Sequence, residues 1–202
     1  MSGGATLAQA TLKIIVASRD EECRRFLRGT LEGQCNYQVL EEASTGTALE
    51  RATLSLTPDV IVFDMNLPGI NGLEALAHIY QEQPVAAVVL AEYRDQIAIQ
   101  SVLHQYYMTY LLKPVEAHHI EPAVRVAWTR YKEYRELADS NTLLRRNLQN
   151  RKTVERAKGV LMKRFRLTEE DAYRRLQRSA MNRRMPLSDL AQAVLNGTEM
   201  QA

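Results

Sequence analysis

Up to about residue 120 the chain alternates short apolar runs with longer amphipathic stretches. Residues 12–18, 37–42, 59–64, 86–91 and 110–112 read as strands. The central runs are apolar at nearly every position, the pattern of strands buried on both faces. Residues 20–32, 45–56, 72–82 and 95–105 predict helices, and Pro58, the Pro68-Gly69 pair and Pro84 punctuate the connections. Five strands alternating with helices predict an α/β fold, a doubly wound five-stranded parallel sheet. In such sheets the chemistry collects at the C-terminal strand ends.

Beyond residue 120 the period changes. No strong breaker follows His119 until about residues 166–168, and Pro122 fits the first turn of a helix, where its missing N–H costs nothing. Residues 124–165 then predict one long helix. In heptads, Ala127, Tyr134, Asn141 and Leu148 fall at a, while Leu137, Leu144 and Arg151 fall at d. This is a three-heptad coiled-coil seam, with Asn141 fixing a parallel register and Arg151 ending it. Packing of the same stripe onto the first domain is the alternative, and Trp128 reads as a packing anchor near the junction.

The last stretch predicts a small all-α three-helix bundle. Val154, Ala157, Val160, Leu161 and Phe165 recur with helical spacing. Thr168, followed by Glu169, Glu170 and Asp171, is a helix start with acids suited to the dipole. Ala172, Leu176 and Ala180, with Tyr173 or Met181, predict the apolar stripe of the second helix. Pro186 opens a third helix over 187–195, and Gly197 suits its left-handed cap.

Charge sharpens this division. The 202 residues carry a net charge of +2, but residues 1–120 hold 8 Lys/Arg against 14 Asp/Glu, and residues 151–185 hold 12 against 4. An acidic regulatory half joined to a polyanion-binding half fits that split, and a solvated helical face is the bland reading. Cys23 and Cys35 have no metal or redox spacing and suggest a reducing compartment. No apolar run is long enough to span a membrane, and residues 1–10 read as a disordered lead without a signal pattern. No hydrolytic or redox constellation emerges, so no enzyme and no cofactor are expected. His118 and His119 point apart on a helix, with His78 and His104 scattered, so no metal site is expected.

Asp64 closes the most apolar strand, where a carboxylate can act as nucleophile or metal ligand. The string Asp64-Met65-Asn66-Leu67-Pro68-Gly69 with Asn71-Gly72, and Leu112-Lys113-Pro114, resemble the phosphoacceptor loop and lysine motif of response-regulator receivers. Tyr110 matches their aromatic switch position. The resemblance covers about residues 10–120 and implies a receiver (flavodoxin-like) fold. Three positions depart from it. Where a receiver has two metal-holding acids, this chain has Ser18 and Arg19, and where it has Thr or Ser it has Ala91. Mg²⁺ is therefore not expected at the receiver site, since phosphoryl transfer leans on a metal. Three readings of Asp64 stay open: an atypical receiver signalling by contact, weak phosphorylation through an unusual metal arrangement, and a structural ion pair with Lys113 or Arg19.

The segments ERAKGVLM (155–162), EEDAYRRLQRSAM (169–181) and LSDLAQAVL (187–195) together resemble the ANTAR domain of the AmiR/NasR-like transcription antiterminators. The resemblance implies a cytoplasmic regulator that binds paired stem-loops in nascent mRNA leaders. It implies RNA as partner and a sensor kinase or sequestering sensor protein as input, while the heptad seam of Tyr134, Leu137, Asn141, Leu144 and Leu148 predicts a homodimer. The residues expected at RNA are Lys158, Lys163, Arg164, Tyr173, Arg174, Arg175, Arg178, Arg183 and Arg184, with Tyr173 either a base platform or core. A DNA-binding response regulator and a protein-interaction adaptor are the alternatives. The expected boundaries are 1–10 lead, 11–121 receiver-like domain, 122–151 coiled-coil linker, 152–197 ANTAR domain and 198–202 tail.

Overall fold

A computed structural model describes residues 11–102 and 108–197. The expected lead and tail, and His104, lie outside the described residues. The chain divides between Arg135 and Glu136 into two compact units.

The first unit is built on five parallel strands, β1 (Lys13–Ala17), β2 (Gln38–Ala43), β3 (Val60–Asp64), β4 (Ala86–Ala91) and β5 (Met108–Leu112), in the order β2-β1-β3-β4-β5. Helices α1 (Glu21–Gly33), α2 (Gly46–Leu56), α3 (Gly72–Glu82) and α4 (Gln96–Val102) connect them. Period-two alternation sorts each central strand between two cores. Ile15, Ala17, Ile61, Phe63, Ala87 and Val89 face one, shared with Leu49, Leu76 and Ile79 of α2 and α3. Ile14, Val16, Val60, Val62, Val88 and Leu90 face the other, shared with Leu27 and Leu31 of α1. Both faces are covered, which is why the central runs carry so little polarity.

Helix α5 runs from Ala117 to Phe165 without interruption. It starts earlier than the sequence suggests, so Pro122 is its sixth residue, past the first turn. The missing N–H there removes the bond to the His118 carbonyl rather than falling on a helix end that lacks one anyway. Ile120, Ala123, Val124, Ala127 and Tyr131 pack in the second core, and the Tyr131 hydroxyl donates to the Pro84 carbonyl at 2.7 Å. The expected boundary at 121/122 thus falls inside the helix that closes the first unit. Ala127 is used in that core and cannot belong to an open seam. Trp128 packs against the same core beside Tyr131.

The second unit holds the end of α5, α6 (Glu169–Arg183) and α7 (Leu187–Leu195). Arg166 takes a positive φ of 52° and ends α5, and Thr168 caps α6 by accepting from the Asp171 N–H at 3.2 Å. Asp171 accepts in return from the Thr168 hydroxyl. Ala157, Leu161, Ala172, Leu176, Ala180, Leu190, Ala191 and Val194 form the core. Phe165, Tyr173 and Met181, expected on the apolar stripe, are exposed instead. Among the described residues no helix is long and apolar enough to cross a membrane.

Candidate phosphoacceptor crevice and basic helical face

Strand order reverses between β1 and β3, and the crevice at such a switch point is where open α/β sheets place their sites. Ser18 follows β1, Asp64 ends β3 and Lys113 follows β5, so the fold brings together three residues far apart in sequence. The loop after Asp64 is compact. Gly69 has a φ of +83°, and a Cβ on Gly72 would lie 2.6 Å from both the Phe63 ring and the Asp64 carbonyl oxygen. Asn66 donates to Asp95 at 3.1 Å, tying this loop to the one after β4.

The Asp64 carboxylate is buried, and both its bonds fall on Oδ2: the Ser18 hydroxyl donates at 3.1 Å and the Lys113 ammonium at 2.5 Å. Ser18 is itself fixed. Its Oγ accepts from the Asp20 N–H at 3.2 Å, and its carbonyl accepts from Arg24 at 2.7 Å. Burial pushes the neighbouring Cys23 thiol up, against a hydrogen bond with Ser18 that lowers it. Arg19 is exposed and makes no ion pair with Asp64, so of the two ion pairs the sequence left open, with Lys113 or with Arg19, the structure has the one with Lys113.

This donor set does not fit a divalent cation, which favours several oxygen ligands. Asp20 commits one carboxylate oxygen, Oδ1, to capping α1 through the Glu22 N–H at 3.0 Å. Ser18 commits its proton to Asp64, and among the described residues no group of three or more acidic, His or Cys side chains could hold a metal. Ala91 is buried where a hydroxyl would serve a phosphoryl group, and its carbonyl accepts from the Lys113 N–H at 2.9 Å. Tyr110 is half-buried in the first core.

In the second unit, Arg174, Arg175 and Arg178 fall within a sector of about 100° around α6, turned away from Ala172, Leu176 and Ala180. With Asp171, Ser179 and Asn182 they line a shallow cleft of about 460 Å³. Arg174 pairs with Glu170, and the Arg175 guanidinium lies 4.4 Å from the Phe165 ring centroid. Lys163, Arg164, Arg183 and Arg184 are exposed, and Arg184 takes a positive φ of 51° as the cap of α6.

Lys158 departs from expectation. It is buried, and Glu155 and Glu169 each hold its ammonium at 2.8 Å. A cation neutralised inside the fold is not a phosphate contact. The two carboxylates raise the Lys158 pKa, and Lys158 lowers that of Glu169. The three-residue spacing of Glu155 and Lys158 was a signal for this pair, but the third member comes from another helix. The seam residues Leu137, Asn141, Leu144 and Leu148 are exposed along α5, as is Leu143, which the heptad reading omitted.

Fold and crevice together define a receiver-type signalling domain, and a helical output domain follows it in the chain. The chain matches the response regulator receiver domain family over residues 14–125 and the ANTAR domain family over residues 142–195. It is 31% identical over 197 residues to the transcriptional regulatory protein PdtaR of Mycobacterium tuberculosis, with 96% of each chain covered. It is 32% identical over 117 residues to the transcriptional regulatory protein LiaR of Bacillus subtilis, covering 57% of this chain and 56% of LiaR. A receiver domain from Clostridium thermocellum superposes with a TM-score of 0.56 at 26% identity, covering 61% of this chain and 98% of that one. The chain therefore belongs to the response regulators of two-component signalling that join a receiver domain to an ANTAR domain, a family of transcriptional regulators.

Proposed function

We propose that this protein is a transcription antiterminator: it binds paired stem-loops in nascent mRNA leaders in the cytoplasm, as a homodimer, under control of an atypical receiver. The observation that carries this is the arginine sector of α6 on a domain of the ANTAR family. Guanidinium groups match phosphate by forked donation and stack on splayed loop bases. The exposed row Leu137, Leu144 and Leu148, with Asn141, supports the pairing of two α5 helices. Two bundles would then bind two stem-loops with the gain of an intramolecular second step. The Ser18–Asp64–Lys113 arrangement supports an input by contact with a sensor protein rather than by metal-dependent phosphorylation.

Competition between a two-hairpin RNA and duplex DNA of equal charge tests the output. Preference for the RNA is expected. Arg174→Ala with Arg175→Ala should weaken binding and flatten the salt dependence by about 1.5 in log–log slope. Preference for the duplex would overturn the reading. So would regulation that depends on the two arginines while RNA binding does not.

A further inference from the structure

Helix α5 closes the first unit with one side and leaves another side open. Ile120, Val124, Ala127 and Tyr131 turn into the second core. Val126, 44% exposed, and Tyr134, 38% exposed, are the large apolar side chains that α5 leaves open before the chain passes to the second unit. With the exposed Arg130 and Glu133 they fall within a sector of about 100° around the helix, clear of the buried one. By helical position Leu137, the first leucine of the proposed seam, falls inside the same sector.

The charges on this face are uncommitted. Arg125 pairs with Glu121, and Arg135 donates to the Tyr131 hydroxyl at 3.2 Å. Arg130 and Glu133 stand three positions apart yet make no ion pair among the described residues. They lie on the apolar line, one of each sign. The seam itself is thin. Residues 137–148 offer Leu137, Leu144 and Leu148 with Asn141 between them, less than two heptads. A polar residue at a core position fixes the register at a cost in stability. The open face of the first unit continues that seam along the same helix and adds apolar surface with opposed charges.

We infer that this face recognises a second copy of the chain: in a parallel pair of α5 helices, Arg130 of each copy pairs with Glu133 of the other, beside Val126 and Tyr134. A two-fold axis makes such a contact self-complementary, so one Arg–Glu combination yields two ion pairs. Three residues are about 4.5 Å along the helix, within reach of an extended arginine. Arginines that meet at one level repel, and the carboxylates of the opposite chain offset them. The inference rests on the homodimer reading and extends the contact into the first unit. Heptad spacing placed Ala127 on the seam, but the second core occupies it. Val126 and Arg130 take over the contact there. A pair slipped by one heptad loses both ion pairs, so the charges add register to affinity.

Sedimentation equilibrium of the full chain measures the dimer dissociation constant and tests this. Arg130→Glu and Glu133→Arg should each raise it roughly 3- to 30-fold, because each sets like charges across both pairs. Both substitutions in one chain should restore it. An equimolar mixture of the two single variants should form a mixed dimer with near wild-type affinity, since each ion pair is then rebuilt between two chains. A contact within one helix cannot be rebuilt by mixing. The rescue should fade at about 1 M salt. Both positions are exposed, so circular dichroism should show the fold retained. If the chain dimerises through Leu137 and Leu144 but ignores Arg130 and Glu133, or mixing brings no rescue, the first-unit face falls and the seam stands. A chain that stays monomeric at every concentration removes the homodimer reading and the face with it. Weakened capture of a separate protein, with self-association unchanged, would give the face to that partner and overturn the assignment.

Discussion

Leu176→Ala measures how thin the core of the second unit is. Leu176 is 2% exposed in a cluster of eight buried residues, four of which are alanines: Ala157, Ala172, Ala180 and Ala191. Alanines let the helices approach closely but cannot swing to fill a void. The lost methyl groups and the remaining cavity should cost about 2–5 kcal/mol, with the upper half expected because the neighbours are short. A domain of the size of residues 142–195 is stable by only about 3–8 kcal/mol. The substitution therefore removes about half or more of what holds the bundle. Hydrogen exchange on the full chain is the assay, since it resolves the two units. Amides of α6 and α7 should lose protection by roughly 30- to 4,000-fold, while those of β1, β3 and β4 keep theirs. Met181→Ala, on the same helix but 78% exposed, should change little. Equal effects of the two substitutions, or less than a fivefold change for Leu176→Ala, would refute the packing argument.

Gly72→Ala should destabilise the first unit by about 1–3 kcal/mol in chemical denaturation, because its Cβ meets backbone and the Phe63 ring. Gly29→Ala, in open space on α1, should stabilise it by up to about 1 kcal/mol. The pKa of Glu169 is lowered by Lys158, so its contribution is present above the ordinary value of 4.5 and is lost as pH falls through its folded value. Melting of the bundle followed below about pH 4.5 should therefore fall more steeply for the wild type than for Glu169→Gln. The pKa of Lys158 is raised, so its share is complete below 10.5 and fades only as pH rises past that. Acetyl phosphate with Mg²⁺ should leave the intact mass unchanged, and calorimetry should detect Mg²⁺ only in Ser18→Asp with Arg19→Asp; a stable adduct on wild-type Asp64 would refute this. The proposed pairing of α5 predicts a dimer in sedimentation, which Leu137→Glu with Leu144→Glu should convert to a monomer with the first unit unaffected.

The strands were legible because burial on both faces demands unbroken apolarity, and the start of α6 because Thr168 and the acids after it announced a cap; the caps Asp20 of α1 and Asn71 of α3 were not read from the sequence. The crevice was legible as far as its residue types. Asp64 and Lys113 meet, and Ser18 stands where an acid was missing. That Ser18 bonds Asp64 across 46 positions, and that Arg19 does not, depends on which way each side chain leaves the end of β1. The helical stripe misled at Phe165, Tyr173 and Met181, because a period of 3.6 marks a sector but not its edge. Side chains at that edge go where neighbours from other helices leave room.

The sequence by itself determined the two-part plan, the parallel sheet, the long helix and the concentration of positive charge near the C-terminus. These follow from periodicity, local capping and charge, which are encoded within a few residues of where they act. Tertiary structure decided how each cation is used. Lys158 became an internal clamp because α6 brings Glu169 to a helix position already facing Glu155. Arg175 settled on Phe165, and Arg151 remained at the rim of a cleft. The free energy of a charge depends on what surrounds it in space, and the order of residues along one helix does not specify the carboxylate that another helix delivers.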